Sequence, residues 1–347
     1  MAERDIVICD RHHGSLLCGL HYLFGKRLGY SVRVPLGMDW YMRGYFDYFN
    51  KDFIVGTLTC PPNGEADPDK MLGFGSGSMG VPITLEEAAD SADSIRFVVS
   101  TLHESEGPFA RFIHDIAPKA TLIRQCGNPN ERVRYTRHAL CADLETYTRI
   151  KDTHHAVLYH QEFNTEVFRF RRVSLKGPRK LRSFLNYLAD MKYLRKYWER
   201  FLREFQDDPV QFYMHGLKDV NSPTEGWHGA PADIRECADW MADMHMMVQL
   251  KNWDGYGFVL HECYAVGRPA IVRWGDYEAK LGGLLIEDMK TGVKLSGVWE
   301  DDRKKVMTVL ESDGYLASMC WAARQRFEEV VDFNGEEKEI RKWLSQM

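Results

Sequence analysis

The fold is decided by the stretch Lys251-Asn-Trp-Asp254-Gly-Tyr-Gly257-Phe-Val-Leu-His-Glu262-Cys-Tyr-Ala-Val-Gly267-Arg-Pro269-Ala-Ile-Val272. An acidic residue precedes a glycine-rich turn, and a second acidic residue follows eight positions later on a predicted helix. A Gly-x-Pro step and a short apolar strand come next. Because the strand His245–Leu250 precedes the motif, the order is strand, glycine turn, helix, strand. This order predicts part of a parallel α/β sheet.

The same alternation occurs along most of the chain. The N-terminal part reads as the strand Ile6–Asp10, a helix from Ser15 to Leu28 and the strand Ser31–Val34. In the second half we predict a strand Val167–Phe170 and a long helix from Leu181 to Phe205, where apolar residues recur near helical spacing. The pattern predicts two Rossmann-like units, residues 1–163 and 164–320, and a helical tail, residues 321–347, that packs back on the first unit.

Composition bounds the class of protein. The 347 residues are enough for two domains of ordinary size, and 44% hydrophobic with 27% charged residues is typical of soluble globular proteins. The longest apolar runs span a few residues, whereas a membrane helix needs roughly 20. Eight scattered cysteines without CxxC pairs, and an N-terminus without a signal-peptide pattern, favour a reducing cytoplasm. The net charge of −5 argues against an overall electrostatic grip on nucleic acid, although residues 169–203 are locally basic.

The Asp254…Glu262 motif resembles the donor-binding signature of retaining GT-B glycosyltransferases. In that family two carboxylates with seven residues between them bracket a nucleotide-sugar, and both are usually Glu, whereas position 254 is Asp. The resemblance implies a GT-B fold, with two Rossmann-like domains facing across a cleft. It also implies that Glu262 accepts hydrogen bonds from the ribose and that Asp254 reaches the transferred sugar.

The helix that follows Gly257 supplies a second binding element. Its first backbone N–H groups, at Phe258 and Val259, have no partner within the helix and favour an anion such as a diphosphate. Gly14, in the loop after the first strand, lets the chain pass close to the donor. His103, which follows the strand Ile95–Ser100, is the candidate that polarises an acceptor hydroxyl.

A basic segment completes the predicted site. We expect a loop after the first strand of the second unit to neutralise the departing diphosphate, since glycosyl transfer without a metal needs such a charge. Generic surface charge is the competing interpretation. The candidates are Arg172, Lys176, Arg179 and Lys180.

These features predict a metal-independent glycosyltransferase that needs no cofactor besides its co-substrate, a nucleotide-sugar, of which a UDP-sugar is the first choice. The first unit looks similar to glycosyltransferases encoded by bacteriophages, which suggests a 5-hydroxymethylpyrimidine base in DNA as the acceptor. A virion protein, a glycan or a small molecule are alternative acceptors. Two other classes stay open: a related sugar-nucleotide epimerase or glycan phosphorylase, and an inactive nucleotide-sugar-binding module.

Overall fold

A computed structural model describes most of the chain. The residues described are 5–9, 14–35, 81–83, 90, 92–101, 114–184, 199–201, 203, 210–215, 229, 231, 234–249, 251 and 255–347. The chain divides into two compact units, Met1–Asn164 with Asp332–Met347, and Thr165–Val331. The second unit therefore runs 11 residues past the predicted limit at residue 320, because one continuous helix, Asp313–Val330, spans that position.

In its described residues, the first unit is built on a seven-stranded parallel sheet. Its strands are β1 (Asp5–Cys9), β2 (Ser31–Pro35), β3 (Val81–Ile83), β4 (Ile95–Ser100), β5 (Thr121–Cys126), β6 (His138–Cys141) and β7 (His155–Leu158). Their order in the sheet is β3-β2-β1-β4-β5-β6-β7. The helices are α1 (Gly14–His21), continued by a π-helical stretch Tyr22–Arg27, and α2 (Leu144–Ile150). Fully buried apolar side chains in β1 and β4 are typical of strands covered on both faces.

The described part of the second unit contains a five-stranded parallel sheet. Its strands are β8 (Arg179–Phe184), β9 (Val210–His215), β10 (Met246–Gln249), β11 (Ala270–Arg273) and β12 (Gly292–Leu295). Its helices are α3 (Ile234–Asp243), α4 (Phe258–Val266), α5 (Trp299–Leu310) and α6 (Asp313–Val330), with short 3-10 turns at Trp274–Asp276 and Leu281–Leu285. One face of the sheet packs on α5 and α6 through a core that includes Leu181, Met246 and Val306.

The start of the second unit corrects the sequence prediction. Val167–Phe170 forms turn and irregular structure, and Leu181–Phe184 is the end of β8 and not the start of a helix. Leu181 and Phe184 are three residues apart, a spacing that strands and helices share over so short a stretch. β8 pairs in parallel with both β9 and β10, so sheet pairing decided between the two structures.

The last helix, α7 (Phe333–Ser345), belongs to the first unit. The Arg27 guanidinium donates two 2.6 Å hydrogen bonds to the Glu162 carboxylate and reaches Glu337 of α7 at 3.3 Å. The Trp343 indole donates to the carbonyl of His155 at 3.1 Å and its ring stacks on the imidazole of that residue. A cation shared by two carboxylates and a buried indole thus hold α7 against this unit.

Candidate functional site

The strand order of the second unit points to one position on its sheet. Read from β9, the order is β9-β8-β10-β11-β12, so the chain turns back between β8 and β10. In open parallel sheets, ligands bind beyond the carboxyl ends of the strands at such a switch point. β10 ends at Gln249, and α4, which follows it, starts at Phe258. The N-terminus of α4 therefore lies beside this switch point.

A left-handed glycine begins α4. Gly257 is the N-cap residue, with φ 76° and ψ 56°. Residues that have a Cβ adopt this left-handed backbone conformation only at a cost in free energy. Gly257 has no side chain to cap the helix, and the first backbone N–H groups of α4, at Phe258 and Val259, point towards its N-terminal end. The helix dipole adds partial positive charge at the same end. The turn is suited to an anionic group.

Glu262 lies in the second turn of α4 and is 4% exposed. Carboxylates are rarely buried to this degree without hydrogen-bonding partners. The burial of Glu262 therefore distinguishes it from an ordinary surface glutamate of a helix. Asp254, the other half of the motif, lies outside the described residues. The structure therefore gives the placement of Glu262 on the helix and not the spacing between the two carboxylates.

Sequence analysis overlooked His261, which the structure places against the glycine turn. Its Nδ1 lies 3.0 Å from the carbonyl oxygen of Gly257, and its ring stacks on Tyr256 at 4.2 Å between centroids and 11° between planes. The side chain is fully buried. A histidine four residues after a helix N-cap is the only signal in the sequence that could have indicated this contact.

Two of the predicted basic residues, Arg179 and Lys180, lie at the amino edge of the sheet and not at the N-terminus of α4. Lys180 is level with the start of β10, since the backbone N–H of His245 donates to its carbonyl at 2.8 Å. Four residues of β10 separate that level from the carboxyl end, roughly 13 Å. The Lys180 amine and the Arg182 guanidinium both bind the Asp243 carboxylate, at 2.8 Å and 2.6 Å. These cations outweigh burial and lower the pKa of Asp243.

Arg179 also makes its contacts at the amino edge of the sheet. Its guanidinium donates to the carbonyls of Leu310 and Leu175 and pairs with Asp313. Arg172 and Lys176 are exposed in the segment that leads into β8. The physical reason is the position of β8: residues 165–178 precede the first strand of this unit, whereas the prediction placed them after it. The segment that does follow β8, residues 185–198, lies outside the described residues.

Two predicted residues belong to the first unit. Gly14 begins α1, the first described helix after β1, at the carboxyl edge of the sheet and beside the switch between β1 and β4. His103 lies outside the described residues. Its proposed role as the group that polarises the acceptor stays a prediction.

An aromatic and cationic pair lies at the carboxyl ends of β11 and β12. The Lys294 amine sits 3.1 Å from the centroid of the Trp274 ring, a close cation–π contact. Burial lowers the pKa of this amine. Among the described residues, no group of three His, Cys, Asp or Glu side chains is arranged to hold a metal ion.

Comparison with solved structures agrees with this architecture. A sucrose-phosphate synthase from Thermosynechococcus elongatus superposes with a TM-score of 0.67 at 11% identity, covering 99% of both chains. A glycosyltransferase from Rickettsia africae gives 0.64 at 11% identity over 100% of both chains. The pneumococcal O-GlcNAc transferase GtfA, solved with UDP and GlcNAc, gives 0.62 at 10% identity over 100% of this chain and 99% of its own.

The chain has the two-domain α/β GT-B fold. No protein-family model matches its sequence. A search of curated proteins finds no match either. Within the described ranges, no helix is both long enough and apolar enough to cross a membrane.

Proposed function

We propose that this protein is a glycosyltransferase that moves a sugar from a nucleotide-sugar to an acceptor hydroxyl. The observation that carries the proposal is the α4 N-terminus, with Gly257 as its N-cap and buried Glu262 one turn on, at the switch point of the second unit's sheet. A diphosphate suits the N–H groups of Phe258 and Val259, and a ribose supplies hydroxyl donors for a carboxylate. The GT-B fold, shared with sugar-transferring enzymes, supports the same conclusion.

The reaction requires charge stabilisation on the leaving side. The acceptor oxygen forms a bond to the anomeric carbon while the bond from that carbon to the diphosphate oxygen breaks. The acceptor proton leaves to a base, for which His103 is our candidate, and the negative charge that develops on the diphosphate meets the α4 N-terminus. We further propose that the reaction retains the anomeric configuration, with Asp254 contacting the transferred sugar and no metal taking part.

UDP is the nucleotide we propose for the donor. The pneumococcal transferase of the same fold was solved with UDP and GlcNAc, and a TarM variant was solved with UDP. Since these chains share 10% and 13% identity with this one, the choice of UDP rests on common fold. UDP is therefore the first ligand to use in binding measurements.

We propose nucleic acid carrying a 5-hydroxymethylpyrimidine as the acceptor. The support is an arginine segment between β5 and β6 of the first unit, in which Arg132, Arg134 and Arg137 are exposed and Tyr135 is 49% exposed. Arginines bind phosphates, and an exposed aromatic ring can stack on an unpaired base. Virion proteins, glycans and small molecules are the competing acceptors.

The arginine segment is held in place by its inner side. The Arg149 guanidinium donates to the carbonyl of Glu131, and His154 Nε2 lies 3.3 Å from the carbonyl of Val133. Glu131 itself binds Arg124 at 2.9 Å. These contacts fix the backbone that carries the exposed arginines. The local positive charge contrasts with the net charge of −5 of the whole protein.

Donor binding tests the proposed function. A panel of nucleotide-sugars, measured by thermal shift with and without EDTA, should contain a UDP-sugar that raises the melting temperature, since a ligand of the native state stabilises it. Glu262→Gln should weaken UDP binding roughly 10- to 100-fold, because a charge-assisted hydrogen bond to ribose is lost. Slow hydrolysis of the donor should fall with it.

Glu300→Gln is the matched control, since Glu300 is an exposed carboxylate on α5. It should bind UDP as the wild type does. The proposal is wrong if no nucleotide-sugar binds, or if Glu262→Gln and Glu300→Gln bind UDP equally well while both remain folded. Binding without hydrolysis or transfer would instead favour an inactive nucleotide-sugar-binding module.

A further inference from the structure

The carbonyl oxygen of Gly257 accepts hydrogen bonds from three donors. The backbone N–H of Leu260 approaches at 3.0 Å and that of His261 at 3.3 Å, as in a tight first turn. The third donor is Nδ1 of the His261 side chain, at 3.0 Å. Because a carbonyl oxygen only accepts, the proton of the imidazole must be on Nδ1. The contact therefore fixes the tautomer of His261 as well as its place.

Holding this carbonyl also aims an N–H group. The peptide between Gly257 and Phe258 is planar and trans, so its C=O and N–H point in opposite directions. Its C=O points into α4, towards Leu260 and His261. The N–H of Phe258 consequently points out of the N-terminal end of the helix, where an anion would bind.

Aromatic packing holds the turn from its other side. The Tyr256 ring lies parallel to the His261 imidazole, and the Phe258 ring meets Tyr256 edge-on, with centroids 5.0 Å apart. Tyr256 is 4% exposed and His261 is fully buried. Glycines at 255 and 257 give this turn a large choice of backbone conformations. A buried ring and one side-chain hydrogen bond restrict that choice.

We propose that His261 is a positioning residue for the donor diphosphate, which acts by fixing the Gly257–Phe258 peptide. The inference rests on the proposed function for its ligand and on the structure for its geometry. His261 itself does not contact the donor. It keeps the Phe258 N–H aimed before the donor arrives, so that binding does not have to order the turn.

Two substitutions separate its hydrogen bond from its ring. His261→Asn keeps an N–H donor close to the position of Nδ1 and loses the stacked ring. His261→Phe keeps a ring against Tyr256 and loses the donor. With UDP and with pyrophosphate as probes in calorimetry, we expect His261→Phe to weaken binding about tenfold and His261→Asn to stay within about threefold of the wild type.

Cys263→Ala is the control for lost stability, since Cys263 is a fully buried residue of the same helix. It should lower the melting temperature and leave UDP affinity unchanged. A purely structural role of His261 predicts that all three variants bind UDP alike in proportion to their folded fraction. That result, or equal losses in His261→Asn and His261→Phe, would overturn the proposal.

Hydrogen exchange of the Leu260 amide decides the geometry without any donor. Its exchange should accelerate at least tenfold in His261→Phe relative to Cys263→Ala, and stay near the wild-type rate in His261→Asn. If wild-type protein binds neither UDP nor pyrophosphate, the proposed function fails, while this measurement still supports or contradicts the fixing of the turn. Unchanged exchange in His261→Phe would show that the side chain does not hold the peptide.

Discussion

At the scale of single residues, Arg268 shows how the Gly-x-Pro step is used. Arg268 is 0% exposed, and within the described part of the chain its guanidinium donates to five backbone carbonyls. These belong to Met244, Ala242, Arg171, Val266 and Gly267. Several of them are at the C-terminal ends of α3 and α4, where the helix dipoles favour a cation. The arginine therefore ties two helix ends to the segment that enters β8.

His245 is a second buried group at the same edge of the sheet. Its Nδ1 accepts a hydrogen bond from the backbone N–H of Lys180 at 2.9 Å. Burial lowers the pKa of this imidazole to about 4, and the nearby charge of Arg179 acts in the same direction. The unfolded chain, in which the pKa is near 6.5, therefore takes up this proton first as the pH falls.

The lowered pKa predicts a pH-dependent stability. The contribution of neutral His245 should be complete above pH 6.5, fall progressively towards pH 4 and change little below it. The total is about 3 kcal/mol, because the pKa falls from 6.5 to about 4. His245→Asn keeps an acceptor for the Lys180 N–H and does not titrate. Urea unfolding of both proteins from pH 4 to 7.5 isolates this residue, since other titrations cancel in the difference. A constant difference across that range would contradict the prediction.

At the scale of elements, α7 is a helix that sequence reasoning places correctly as helical but whose packing only the structure gives. Its buried residues are Ile340, Trp343 and Leu344. Trp343 contacts His155 of β7, the edge strand of the first sheet among the described residues. The helix therefore covers part of a strand that would otherwise have an unpaired side.

Two tryptophans give a matched test of this packing. Trp343 is 5% exposed and Trp321, on α6, is 52% exposed. Trp343→Ala should destabilise the protein by about 3 to 5 kcal/mol through loss of buried area and the cavity that remains. Trp321→Ala should change the free energy of unfolding by about 0.5 kcal/mol or less. Denaturant titration measures both, and similar values for the two variants would show that α7 is not held by its indole.

The alternation of strands and helices was predictable, because buried parallel strands have short, strongly apolar sequences. The motif around Gly257 was also predictable from local sequence. A glycine turn, a helix and a Gly-x-Pro step each have a recognisable local pattern. β8 was missed because Arg179-Lys-Leu-Arg-Ser-Phe184 carries three cations, which is unusual for a buried strand. Its two arginines contact Asp313, Asp243 and His215. Those partners are distant in sequence, so the local pattern does not reveal them. Because the prediction made Val167–Phe170 the first strand of the second unit, it placed the basic loop before β8 and not after it.

At the scale of the whole molecule, charge is distributed unevenly over an acidic protein. The arginine segment of the first unit holds three exposed cations within six residues, from Arg132 to Arg137. Since phosphate contacts release counterions from nucleic acid, such a segment should give binding that depends strongly on salt. The total charge of −5 opposes binding elsewhere on the surface.

Neutralising the segment is expected to remove this salt dependence. The triple variant Arg132→Gln, Arg134→Gln, Arg137→Gln should lower the slope of log K against log salt by up to about 2.7 for duplex DNA. The control triple, Arg303→Gln, Lys304→Gln, Lys338→Gln, removes the same charge from exposed helical positions and should change the slope little. Fluorescence anisotropy between 50 and 200 mM salt, without donor, gives both slopes. Equal slopes for the two triples would contradict a nucleic-acid role for the segment.

The sequence by itself determined the two α/β units, the glycine turn and the position of Glu262 in a helix, because these depend on local pattern and on spacing along one element. Only the tertiary structure decided that Lys180 and Arg182 pair with Asp243 away from the turn, that His261 holds the Gly257 carbonyl and that Arg268 joins two helix ends. Each of these is set by contacts between side chains and backbone groups whose separation in the chain carries no periodic signal. The strand order places the turn at the switch point between β8 and β10, and the order in which strands pair is a property of the folded sheet.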